Sequence, residues 1–273
     1  MQKTILITGA TDGIGLKTAQ MLVAQGHHVL LHGRNAEKLA KTKQALIANP
    51  STLKGEGEVA DSIDTYIADL SQMSQVIALA EAVKTAHGKI DVLINNAGVF
   101  RAENNTTLEG LDIRFAVNTI APYLLTHSLL PLLGEKGRVI NLSSAAQATV
   151  NINALIGNVV VEDDFSAYAQ SKLALTMWSK ALAQKADSPI VIAVNPGSML
   201  GSKMVKDNFG VEGGDVAKGA HILMRLALDD EFESKSGGYF DNDLGHFSTP
   251  HLDALEVNKC EEIVNGIKKV LRL

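Results

Sequence analysis

Glycines 9, 13 and 15 stand in the run Thr8-Gly9-Ala10-Thr11-Asp12-Gly13-Ile14-Gly15, directly after the apolar triplet Ile5-Leu6-Ile7. Glycines in this place let a chain turn tightly and approach a pyrophosphate closely. The N-terminus of the helix that follows offers amide groups and the positive end of its dipole to the phosphates. The spacing is Gly-xxx-Gly-x-Gly rather than Gly-x-Gly-x-x-Gly, and by itself such a cluster could be an ordinary turn. Its place between a first strand and a first helix argues for phosphate binding. A second apolar run ends in His32-Gly33-Arg34-Asn35. An acid there would accept both ribose hydroxyls of NAD, whereas the guanidinium of Arg34 suits a 2′-phosphate. This favours NADP(H). Asp12 inside the glycine turn pulls the other way, so NAD(H) stays open, as does a solvated Arg34 at a helix start. Further along, Tyr168-Ala169-Gln170-Ser171-Lys172 places a phenol and an ammonium at i and i+4, on one face of a helix.

The elements that must position these residues follow from the apolar pattern. Short runs at Ile5–Ile7, Val29–Leu31, Tyr66–Ala68, Val92–Ile94, Val139–Ile140 and Val191–Val194 lack in–out alternation and read as strands covered on both faces. Amphipathic stretches separate them. One carries Ile14, Ala19, Leu22 and Val23 and stops at Gly26; a second starts at the N-cap Asn35 and runs to about Ala48, closed by Pro50. Others span about 71–86, 108–133, 166–186, 216–228 and 253–271. The alternation predicts an α/β fold, a doubly wound parallel sheet of Rossmann type with helices on both faces, in a single domain over 1–273. Two stretches break the rhythm, about 145–165 and 198–215. In an open α/β sheet both lie at the carboxyl ends of strands, where ligands bind.

Composition excludes several function classes. The chain has 273 residues, 46% hydrophobic, and one cysteine, which rules out a disulfide scaffold and a Cys-based zinc site. A net charge of -5 and 4% aromatics leave neither a basic footprint nor stacking platforms for nucleic acid. No apolar run approaches the ~20 residues of a membrane span, and Ile5–Ile7 is too short for a secretory core. A cytoplasmic protein is expected. His27, His28 and His32 cluster in sequence without a neighbouring acid, so no metal site is expected. The Leu-rich stretch 124–133 reads as core or as an oligomer interface.

Taken together the motifs resemble the short-chain dehydrogenase/reductase family over roughly residues 1–245. The matching motifs are the TGxxxGIG turn, Asp69-Leu70 after the third strand and Asn95-Asn96-Ala97-Gly98 after the fourth. Asn118, Asn141-Leu142-Ser143-Ser144, the YxxxK pair and Asn195-Pro196-Gly197 follow in the family's order. The resemblance implies hydride transfer between NADP(H) and a small carbonyl or alcohol, with Tyr168 as proton donor or, as phenolate, base. Lys172 would lower the phenol pKa and bind the nicotinamide ribose. An ammonium at ~4 Å supplies about 4 kcal/mol at an effective dielectric near 20, enough for a ~2–3 unit shift. Ser144, rather than Ser143, would hydrogen-bond the substrate oxygen, and Asn118 would hold a water that links Lys172 to solvent. The implied cofactor contacts are Gly9, Thr11, Asp12, Gly13, Ile14, Gly15, Arg34 and Asn35, then Asp69 and Leu70 near adenine. Asn96 near the adenosine ribose, Ala97, Gly98, Tyr168 and Lys172, and Pro196 and Gly197 beside the nicotinamide complete the set.

One departure stands out: 24 positions separate Ser144 from Tyr168, more than is usual in the family. A comparable insertion occurs in retinol-dehydrogenase-like members, which often act on hydrophobic carbonyls. Residues 145–165 therefore read either as a wall of the substrate pocket, with Phe100, Gln147 and the 198–215 segment, or as a surface flap. The competing functional reading is a catalytically silent NADP(H)-binding sensor. Retention of Ser144, Tyr168, Lys172 and Asn118 together argues against it. A homo-oligomer is compatible with the resemblance.

Overall fold

The computed structural model describes residues 1–48 and 59–273. Eight strands form one sheet in the order β3-β2-β1-β4-β5-β6-β7-β8. They are β1 (Thr4–Ile7), β2 (His28–Gly33), β3 (Ile63–Ile67), β4 (Val92–Asn95), β5 (Arg138–Leu142), β6 (Ile190–Asn195), β7 (Tyr239–Asp241) and β8 (His246–Ser248). All pairs are parallel except β7–β8. Strand side chains divide between two cores. Leu6, Leu30, Leu93, Val139 and Val191 enter one face, while Ile5, Ile7, Val29, Leu31, Val92, Ile94, Ile140 and Ile192 enter the other. That division is why the central strands read as continuous apolar runs.

On one face lie α1 (Gly13–Ala24), α2 (Ala36–Ala48) and α8 (Val216–Leu228). On the other lie α3 (Met73–Ala86), α4 (Ile113–Leu133), α6 (Asp164–Ala183) and α9 (Val257–Leu271). The short helices α5 (Ile152–Leu155) and α7 (Lys203–Phe209) sit in the two long connections. The expected Rossmann-type α/β architecture is therefore present. Pro50, expected to close α2, lies outside the described residues.

Several expectations need correction. β3 alternates between buried and accessible residues, with Ile67 60% exposed, because it is an edge strand rather than one covered on both faces. The helix expected from 108 begins at Ile113: Leu108 is exposed, and a Thr106–Asp112 bridge ties back the preceding loop. α4 is long and apolar enough to span a bilayer, contrary to the reading that no run approaches that length. It is nonetheless 67% buried inside this fold, where Leu124, Leu125, Leu129 and Leu133 belong to the core. The 198–215 stretch is not all loop, since it holds α7 capped by Ser202. The last helix is split, a 3-10 turn at Leu252–Leu255 preceding α9. Strands β7 and β8 carried no readable pattern because each is three residues long; Phe232, Phe240 and Phe247 pack behind them with ring centroids 5.2–6.2 Å apart.

Candidate active site

Every residue singled out for the site lies at or beyond the carboxyl ends of the parallel strands or on the helices that follow them. The glycine turn links β1 to α1. Gly9 has φ +66°, and a Cβ there would lie 3.0 Å from the Ala97 Cα. At Gly15 a Cβ would lie 2.3 Å from the Asn96 amide and 2.4 Å from the Gly9 carbonyl. Any side chain would force the turn apart, so the turn keeps the bare backbone that a pyrophosphate requires. Thr11 rests its methyl over Gly33, where a Cβ would lie 2.7 Å away. The Ile14 side chain packs toward α8, 3.3 Å from where a Cβ on Gly219 would stand.

Asp12 caps α1. Its carboxylate accepts the Gly13 N–H at 2.8 Å and meets the Lys38 ammonium at 2.6 Å. Partial burial pushes this carboxyl up, but the Lys38 and Gly13 contacts outweigh burial and hold it below its ordinary value. The acid that weighed against NADP(H) is thus already neutralised by a lysine that sequence reasoning missed. Arg34 is exposed at the end of β2, and Asn35 accepts the Lys38 N–H at 2.8 Å as the N-cap of α2. Asp69 is engaged by its own turn, accepting Ser71 N–H at 2.9 Å and Ser71 O–H at 2.8 Å, while Leu70 is buried.

Asn96 proves to be a brace. Its side-chain amide donates to the Thr8 and Gly9 carbonyls at 2.8 and 3.0 Å, and the Asn96 and Ala97 N–H groups both reach Thr8 Oγ1. Asn95 joins β4 to Asn141 on β5 at 2.8 Å and to Thr126 on α4. His32 belongs to the same brace and was also missed. Its Nδ1 accepts the Gly9 N–H at 3.2 Å, and its Nε2–H donates to the Ala68 carbonyl at 3.0 Å. Burial pushes its pKa down to about 4, so the imidazole is neutral and holds this one tautomer. The three sequence-adjacent histidines therefore diverge. His27 accepts the Lys3 N–H, His32 fastens the glycine turn, and His28 meets the acid absent from its sequence neighbourhood, Asp64.

The reacting groups converge between β4, β5 and α6. Ser143 is turned inward, bonded to Thr176 Oγ1 at 2.7 Å and to the Lys172 carbonyl at 3.1 Å. Ser144 instead faces the Tyr168 phenol, and its hydroxyl accepts the Ala146 N–H at 3.1 Å. Phe100 packs on that ring at 5.2 Å between centroids. Lys172 Nζ lies 5.6 Å from the Tyr168 ring centroid and donates to the Leu142 carbonyl at 2.7 Å. Burial lowers this ammonium to about 8. Burial raises the Tyr168 phenol above its ordinary value, and the neighbouring Ser144 hydroxyl opposes that rise.

Asn118 lies in a π-helical turn of α4, Ala116–Ile120. Its amide is filled by protein partners, donating to the Val99 carbonyl (2.9 Å) and Ser171 Oγ (3.0 Å) and accepting the Val99 N–H (2.8 Å). The side chain thus ties α4, α6 and the loop after β4 together. A Cβ on Gly98 would come within 3.4 Å of both Asn118 Oδ1 and Lys172 Nζ and 3.8 Å of Met204 Cε. Gly98 is exposed and lies against these three side chains.

Gln147, read as a candidate pocket residue, and Tyr239, which sequence reasoning missed, support Ser144. Tyr239 O–H and Gln147 Nε2 both donate to its carbonyl, at 2.9 and 3.0 Å. Pro196 and Gly197 are strapped to the β7–β8 turn, with Asn242 donating to the Pro196 carbonyl at 2.8 Å and Asp243 accepting the Ser198 N–H at 2.9 Å. The insertion is anchored at its middle and at its C-terminal end. Leu155 is fully buried, with its Cδ2 3.2 Å from where a Cβ on Gly266 of α9 would stand. Asp164 meets Arg114, which is 1% exposed and also grips Asp112. Val160 is exposed, so the apolar residues of this segment serve the fold at least as much as any pocket.

A family model described as "short chain dehydrogenase" matches residues 3–210. The chain belongs to the short chain dehydrogenase family. It is similar to retinol dehydrogenase 13 of Mus musculus, 30% identical with 93% of this chain and 80% of that protein covered. It is also similar to retinol dehydrogenase 12 of Bos taurus, 32% identical with 87% and 77% covered. The solved Pseudomonas aeruginosa RhlG/NADP active-site complex superimposes with a TM-score of 0.68 at 24% identity, covering 88% of this chain and 94% of that one. As a short-chain dehydrogenase/reductase, the protein is an NAD(P)-dependent oxidoreductase of alcohol and carbonyl groups.

Proposed function

We propose that this short-chain dehydrogenase transfers a hydride between NADP(H) and a hydrophobic carbonyl or alcohol, with Tyr168 handling the proton. The observation that carries the reading is the convergence of Tyr168, Lys172 and Asn118 around Gly98, with Lys172 Nζ 5.6 Å from the Tyr168 ring and Phe100 packed on it. The bare-backbone turn at Gly9 and Gly15 fits a pyrophosphate, and Arg34 and Lys38 supply cations beside it. The nicotinamide cofactor supplies or accepts the hydride when bound. Burial keeps the Tyr168 phenol protonated at neutral pH, the form that donates to a developing alkoxide, so the free site is set for reduction. The Ser144 hydroxyl, free to rotate, can turn from the phenol to the same oxygen. Lys172, lowered to about 8, remains largely protonated at pH 7 and can donate to ribose hydroxyls. The π turn around Asn118 breaks the i-to-i+4 ladder, and we assign the water-binding role to a backbone carbonyl it releases. Phe100 against Tyr168 and the retinol-acting names of similar proteins favour a hydrophobic substrate.

The test is a panel of aliphatic, aromatic and isoprenoid aldehydes, ketones and alcohols, followed by nicotinamide absorbance with NADPH and NADH. Turnover of hydrophobic aldehydes with NADPH is expected, with Tyr168→Phe losing at least ~100-fold in kcat while binding NADPH as before. Tight NADPH binding without turnover of any member would instead assign the chain to a sensor role.

A further inference from the structure

At the far end of the β2–β3 pair from the nicotinamide region, three side chains converge that the reaction does not use. His28 opens β2, Asp64 is the second residue of β3, and His87 caps the C-terminus of α3. The register explains the meeting. Asp64 pairs with Leu30, so His28, two residues before Leu30, shares its face of the pleat, the face that α3 covers. His28 Nε2 lies 2.8 Å and His87 Nε2 3.7 Å from Asp64 Oδ2, and one ligand atom from each residue lies within 4.8 Å of the other two. Among the described residues no other group of His, Cys, Asp and Glu converges this closely.

We propose that His28, Asp64 and His87 form a divalent transition-metal site, suited to Zn2+. Two imidazole nitrogens and one carboxylate oxygen are a recognised zinc donor set. With metal–ligand bonds of about 2.0–2.2 Å, ligand atoms stand roughly 3.3–3.6 Å apart around a tetrahedral ion. Two of the three pairs already bracket that spacing, and the third closes by rotation of partly exposed rings. The trio lies beside the sheet edge, with side chains 11–45% exposed, so an ion can enter and a water can fill the fourth position. Tyr66 O–H, 2.7 Å from His87 Nε2, is the partner that the metal replaces. The expectation of no metal site looked to partners close in sequence; these ligands come instead from three elements distant in sequence. An ion here would clip the end of α3 to β2 and β3 without touching the reacting groups.

Zn2+ titration of the full chain in competition with a chromogenic chelator tests this, with Co2+ as a spectroscopic probe. We expect one Zn2+ per chain and a tetrahedral-type visible Co2+ spectrum. Asp64→Asn and His87→Gln should each weaken binding by more than the roughly 10–100-fold that a change outside the ligand shell costs. His246→Ala should bind as wild type, and His87→Gln should keep its oxidoreductase turnover. In the wild-type chain, Zn2+ should shift the imidazole NMR resonances of His28 and His87 and leave those of His246 in place. That readout needs no variant to fold. Absence of stoichiometric binding, binding that survives both ligand substitutions, or unmoved His28 and His87 resonances would overturn the site.

Discussion

His32 receives the Gly9 N–H on one ring nitrogen and passes the other ring N–H to the Ala68 carbonyl. One neutral imidazole thus fastens the phosphate-binding turn to the ends of β2 and β3. Protonation would cost the Gly9 bond. Its folded pKa, about 4, lies below the ordinary 6.5, so between these values the unfolded chain binds the proton and the folded chain does not. Stability should therefore fall as pH drops from about 6.5 to 4, by on the order of 3 kcal/mol from this group. Denaturant unfolding of wild type and His32→Asn across that range measures the difference; equal pH slopes would contradict the assignment.

Arg34 and Lys38 flank the turn, and Lys38 neutralises Asp12. Arg34→Ala should weaken NADPH binding by about 10–100-fold, the worth of one or two charge-assisted hydrogen bonds. NADH affinity should change little. Fluorescence titration with both nucleotides reads the ratio, and a parallel loss of both would assign Arg34 to the shared adenosine portion.

Arg114 is buried against Asp112 and Asp164, and Asp164 opens the helix that carries Tyr168 and Lys172. Arg114→Ala leaves two carboxylates without their shared cation in a largely buried setting. A loss of about 3–5 kcal/mol is expected, visible as a lower denaturant midpoint. An unchanged midpoint would show that the insertion is not anchored through this residue.

Tyr239 and Gln147 together hold the Ser144 carbonyl. Tyr239→Phe removes one donor, worth roughly 0.5–1.5 kcal/mol. If the contact positions Ser144, kcat should fall several-fold while NADPH affinity and the pH profile stay as in wild type. A change confined to thermal stability would mean that Tyr239 supports only the sheet edge.

The local part of this protein was written in its sequence. Unalternated aliphatic runs marked the central strands because a strand covered on both faces has no polar side to show. The glycine turn and the Tyr168–Lys172 pair were legible because each depends on neighbours a few residues away, whereas the choice of Ser144 over Ser143 came from the family resemblance. Only the tertiary structure decided relations between distant segments. It turned Asn96, Asn118 and His32 into braces, paired Asp12 with Lys38, placed Tyr239 behind Ser144, and brought Asp64 and His87 to His28. It also set the electrostatics, raising Tyr168 and lowering Lys172, because desolvation depends on how the whole fold closes over a group rather than on the residue four positions away.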